Sequence, residues 1–76
     1  MMKYLHYRIL LRREPEGGYT VTVPMLPGCV TYGETIDDAI AMAREAIGLS
    51  IEDLQEKGEE IPTEERVLEC TVDLHA

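Results

Sequence analysis

Fifteen carboxylates, two histidines and two cysteines are the groups of this 76-residue chain that could do chemistry. Two-metal cleavage of a phosphodiester needs several carboxylates converging on one point, one of them usually near the middle of a first strand. The opening stretch Lys3 to Arg13 contains no carboxylate, and Glu45 and Asp73 cannot make such a cluster without it. His6 stands beside Arg8 in sequence and His75 near the chain end. With cations around it and no serine or cysteine nucleophile nearby, such a histidine reads as a surface residue rather than a general base. Cys29 and Cys70 have no zinc spacing and lie in apolar runs, so they read as buried thiols rather than a disulfide. The glycines form turns and are followed by no phosphate-binding lysine or serine at a strand-to-helix junction. The expectation is a chain with no catalytic residue, no metal and no cofactor.

What remains is charge and exposed apolar surface. The net charge is −8, divided as +4 over residues 1–13 and −12 over residues 14–76. A surface of that sign repels phosphate backbones and suits a basic protein partner. Glu52, Glu56, Glu59 and Glu60 are the candidate charge complement, and their ordinary reading is a solvated face. Met42 and Leu49 are the candidate apolar contacts, either with that partner or with another copy; their ordinary reading is peripheral core.

The elements that position these residues follow from hydrophobic period. Lys3 to Arg13 alternates Leu5, Tyr7, Ile9 and Leu11 against Tyr4, His6, Arg8, Leu10 and Arg12, a long first strand with the former set inward. Gly17-Gly18 suits a hairpin turn, and Tyr19, Val21 and Val23 alternate with Thr20 and Thr22 as a second strand. Pro24 ends it, Pro27-Gly28 makes a further bend, Cys29 to Tyr32 is a third strand and Gly33 turns out of the sheet. Thr35 is a helix N-cap, with Asp37 and Asp38 in the first turn. From Thr35 to about Lys57, Ile36, Ile40, Ala43, Ile47, Ile51 and Leu54 form one apolar helical stripe, and Gly58 follows as a stop. Residues 58–65 form an acidic loop. In Arg66 to Leu74, Leu68, Cys70, Val72 and Leu74 alternate with polar residues as a last strand.

Three strands, a long helix and a strand give an α+β fold, β-β-β-α-β. A right-handed crossover that sets the last strand beside the first yields sheet order 3-2-1-4, a truncated RNase H-like layout with the helix on one face. The other face would carry Tyr4, His6, Arg8, Leu10, Arg12, Thr20, Thr22, Thr31, Glu69, Thr71 and Asp73, and the apolar members invite self-association. Residues 1–76 read as a single domain. With no run of 18 apolar residues and no basic-then-apolar leader, neither a membrane span nor a signal peptide is expected, and the thiols fit a cytoplasmic setting.

The order and spacing of Gly17, Gly18, Tyr19, Pro24, Pro27, Gly28, Cys29, Gly33, Thr35 and Ala39 resemble the signature of the HicB family, the antitoxins of HicA–HicB toxin–antitoxin modules. The likeness is to the short, single-domain members and covers residues 3–74. It implies the RNase H-like sheet, assembly as a dimer or tetramer, and a small basic HicA-like partner. HicA toxins are mRNA interferases with a double-stranded-RNA-binding-domain-like fold and a catalytic histidine, and an antitoxin would mask that active site. No helix-turn-helix or ribbon-helix-helix segment follows within residues 1–76, so direct DNA binding is not expected. An oligomeric interaction protein of the same fold without a toxin is the alternative, and a nuclease the remote one.

Overall fold

Gly17 and Gly18 take φ of 105° and 80°, the left-handed region that glycine enters without steric penalty, and they fold the chain back on itself. Gly17 N–H donates to Glu14 O and Glu14 N–H to Gly18 O, each at 3.0 Å. In the computed structural model, which describes residues 4–76, the resulting hairpin joins β1 (Leu10–Arg13) to β2 (Tyr19–Thr22). Then come β3 (Val30–Gly33) and α1 (Ile36–Glu56), and the sheet is antiparallel in the order β1-β2-β3. The architecture is α+β, three antiparallel strands under one long helix.

Register sets which side chains meet the helix. Val21 stands between Leu11 of β1 and Thr31 of β3, and it is fully buried against Ala39 and Ala43. Thr31 therefore lies on the helix side and not on the open face expected for it. Val30 and Tyr32 take the open face with Leu10, all three exposed.

The seam of α1 differs from the expected stripe as well. Ala39 and Ala43 are buried while Ile36 and Ile40 are half exposed at the rim. Alanines let the helix axis approach the sheet closely, and the larger side chains are displaced sideways. A second cluster unites Val23, Leu26 and Cys29 of the proline-bracketed bend with Tyr7, Ile9, Ala46, Ile47 and Leu54. That bend is held by Leu26 N–H to Val23 O at 3.0 Å, Cys29 N–H to Leu26 O at 3.0 Å and Val23 N–H to Cys29 O at 3.2 Å.

The same bend shortens the first strand. Past Thr22 the backbone of β2 turns away, so residues 4–9 have no ladder partner and only Leu10–Arg13 pairs. The side-chain alternation persists all the same: Leu5, Tyr7, Ile9 and Leu11 are half-buried, and Tyr4, His6, Leu10 and Arg12 are exposed. Lys3, the expected start of that strand, lies outside the described residues.

Residues 66–74, expected as a strand, form none here and are exposed throughout. Nothing packs on their apolar side, and a strand's stability comes from such packing and cross-strand pairing. Cys70 is accordingly exposed rather than buried, Cys29 is buried, and both thiols are free. Among the described residues, no helix is long and apolar enough to cross a membrane.

Candidate functional site

Two local devices fix where the outer face of α1 points. At the start, the Asp38 N–H donates to Thr35 Oγ1 at 3.0 Å, with Thr35 extended at φ −124° and Asp37 and Asp38 in the first turn. A Cβ on buried Gly33 would collide with the Ala39 backbone, so glycine there lets the first turn of α1 rest on the end of β3. At the other end, Gly58 at φ 68° follows cap residue Lys57. Its N–H donates to Gln55 O at 3.1 Å, and Glu59 N–H to Leu54 O at 2.9 Å, the paired closure of a Schellman stop.

Between these ends, Met42, Leu49 and Glu56 follow one another at seven-residue steps. Two helical turns separate each pair, so the three share one flank of α1. Met42 is 42% and Leu49 60% exposed. Glu52 and Glu56 in the last turns, and Glu59 and Glu60 just beyond the stop, are all exposed. The sequence candidates are thus spread along α1 and past its C-terminal end, the apolar pair on the helix body and the acids in its last turns and just beyond.

Among the described residues none of these four glutamates forms an ion pair, whereas Asp53 is taken by Lys57 at 2.9 Å. That hydrogen bond and charge raise the Lys57 ammonium above its ordinary value. Unpaired, solvated carboxylates at this density create a negative potential able to steer a cation-rich surface. Among the described residues, no three His, Cys, Asp or Glu side chains gather to hold a metal ion.

A second polar constellation was not foreseen from sequence. Tyr7 Oη donates to Pro62 O at 2.5 Å. Glu64 accepts the Arg8 backbone N–H at 2.5 Å and Arg8 Nε at 3.1 Å, and Glu69 accepts Arg8 Nη1 at 3.1 Å. The Arg8 backbone N–H, followed by its guanidinium, holds the Glu64 carboxyl below its ordinary value against an opposing push from desolvation. Burial, then the charge of Glu64, raises the Tyr7 phenol. These contacts tie the segment after α1 to the segment before β1. The only hint in sequence was the charge contrast between Arg8 and the loop acids.

Comparison with known proteins bears on this arrangement. The profile described as HicB_like antitoxin of bacterial toxin-antitoxin system matches residues 7–74. The chain belongs to the HicB-like antitoxin family. This HicB-like chain is 40% identical over 58 residues to a UPF0150 protein of Thermoplasma acidophilum, covering 76% of the chain and 84% of that relative. It is 36% identical over 62 residues to Antitoxin HicB 1 of Photorhabdus laumondii, covering 82% of the chain and 40% of that protein. Among solved structures, the crystal structure of the N-terminal domain of Burkholderia pseudomallei antitoxin HicB matches with a TM-score of 0.67 and 39% identity. That match covers 87% of the HicB-like chain and 72% of the solved one. The chain therefore spans about two fifths of the Photorhabdus antitoxin and most of the solved domain. Membership in an antitoxin family points to a regulatory role.

Proposed function

We propose that this HicB-like chain neutralises a small basic mRNA interferase of the HicA type by lying over its active site. Membership of residues 7–74 in an antitoxin family carries the reading. The exposed, unpaired Glu52, Glu56, Glu59 and Glu60 support it on physical grounds: a surface that binds RNA is basic, and an acidic cover speeds encounter while excluding substrate. Met42 and Leu49 supply the apolar contact that holds the complex once formed. Residues 1–76 act as one binding domain, and the encounter takes place in the cytoplasm, where mRNA is cut. The open edge of β1 is the seat of a fourth strand, residues 66–74, which completes the 3-2-1-4 order of a truncated RNase H-like sheet. Its strand-type alternation and the contact of Glu69 with Arg8, two residues before β1, support this.

The test is co-purification from the native host at low ionic strength. A basic protein of well under about 100 residues, the size of a single small domain, should be retained by the tagged chain and released as salt rises. Recovery of the chain alone at low salt would overturn the reading.

A further inference from the structure

Ile40, Ala43, Arg44 and Ile47 recur at steps of three and four, and so share one flank of α1. That flank faces the stretch Leu5 to Ile9 across a cleft of about 340 Å³, within the range of about 300–1,000 Å³ typical of small-molecule sites. Its walls are held from behind by both cores. Ala43 is buried with Val21 and Ala39, and Tyr7, Ile9 and Ile47 pack on Val23, Leu26 and Cys29. The apolar walls are therefore already in place before anything enters.

Charge on this cleft runs against the rest of the surface. Among the described residues no carboxylate lines it, although the chain holds fifteen, and the two titratable groups with positive character on it are Arg44 and His6. Arg44 is one of three bases in residues 14–76, and another of them, Lys57, is bound to Asp53. Among the described residues Arg44 forms no ion pair. The positions three and four residues from it are Ile40, Ala41, Ile47 and Gly48, so its own helix offers no acid at the spacing where side chains meet. His6 contributes a ring N–H in either protonation state. An anionic group seated there gains charge-assisted hydrogen bonds that the chain itself does not supply.

A peptide added as a strand along residues 5–9 is less well matched. The Arg8 N–H is already given to Glu64, and Thr63, Glu64 and Glu65 lie along residues 4–7. What the cleft offers is side-chain surface, apolar with a cationic corner, and not an unbroken row of backbone donors.

We propose that this cleft binds a medium-chain aliphatic carboxylate, its chain along Tyr7, Ile9, Ile40 and Ile47 and its head on the Arg44 guanidinium, with His6 donating a second hydrogen bond. This goes beyond the antitoxin reading and does not depend on the toxin.

The experiment is an NMR titration of the full-length, ¹³C-methyl-labelled chain with decanoate, kept below the concentration at which the probe self-associates, alongside decanol and decylammonium. The expected result is saturable shifts confined to the methyls around the cleft, those of Ile9, Ile40 and Ile47. Decanoate should bind about tenfold more tightly than decanol, the gain from one charge-assisted contact, and decylammonium least tightly of the three. Arg44→Gln should remove that tenfold advantage and leave decanol binding unchanged. Ile40→Glu, at an exposed position, should abolish decanoate binding while the circular dichroism spectrum stays the same. Equal affinity for the carboxylate and the ammonium would overturn the proposal, as would shifts centred on Met42 and Leu49. Contacts from Leu68 or Val72 to Ile40 in the ligand-free chain would mean that the tail fills the cleft, and would overturn it too. A chain that captures a basic toxin but leaves decanoate unbound would sink this site and spare the antitoxin reading.

Discussion

Glu64 accepts both the backbone N–H and the Nε of Arg8, at 2.5 Å and 3.1 Å, and so joins two segments that lie 56 residues apart in the chain. A carboxylate in that position does for one backbone donor what a neighbouring strand would do for a row of them. The contact marks where the chain after α1 departs from the body of the fold.

Its acid sensitivity follows from the lowered Glu64 value. A carboxyl held below its ordinary value in the folded chain contributes stability that is complete above that ordinary value and fades as pH falls through the lowered one. The Arg8 amide resonance, followed from about pH 7 to about pH 2, should shift in a single step centred below the ordinary carboxylate range. Glu64→Gln should abolish that step while leaving β1 to β3 folded at neutral pH. An unchanged step in the variant would assign it to another group.

Close approach of α1 to β3 rests on Gly33. Because an added methyl would meet the Ala39 backbone, which cannot move without lifting the first turn of the helix, Gly33→Ala should destabilise the chain by about 3 kcal/mol. Urea unfolding monitored by circular dichroism measures this. A loss below about 0.5 kcal/mol, the ordinary range for surface substitutions, would show that the helix sits farther from the strand.

The Thr35 cap makes a smaller, separable contribution. Thr35→Ala removes the acceptor for Asp38 N–H and should lower stability by about 1 kcal/mol, with Thr35→Ser restoring most of it. Equal losses in the two variants would mean that the hydroxyl is not what caps the helix.

Steering by the acidic end of α1 predicts a kinetic signature. Replacing Glu52, Glu56, Glu59 and Glu60 by Gln should slow association with a basic toxin by about tenfold at low ionic strength. The difference should shrink as salt is added, while dissociation changes little. Met42→Ala with Leu49→Ala should act the other way, raising the dissociation rate and sparing association. Stopped-flow binding separates the two, and an acid variant that associates at the original rate would remove the glutamates from the interface.

Much of this was legible in the sequence because it is local. Gly17-Gly18, the alternation of Tyr19 to Thr22, Thr35 with Asp38, and Gly58 after Lys57 each instruct a few neighbours, and each formed as read. Met42 and Leu49, whose ordinary reading is peripheral core, are 42% and 60% exposed. What could not be read depends on partners distant in the chain. The face taken by Thr31 is set by register with Val21, the burial of Ala39 over Ile40 by how close helix and sheet can come, and the length of β1 by where β2 ends. The run from Leu68 to Leu74 carries a strand pattern, but pattern alone does not say what it pairs with. The grip of Glu64 on Arg8 left no periodic trace at all.

Cleavage of messenger RNA by the co-purified basic toxin, titrated with this chain, is the direct test of whether the chain covers the toxin's active site. Cleavage should stop when the chain reaches the stoichiometry of the complex, and activity should return in part when salt is raised or Glu52, Glu56, Glu59 and Glu60 are replaced. Cleavage that continues at its original rate under excess chain, with the two proteins bound, would contradict it.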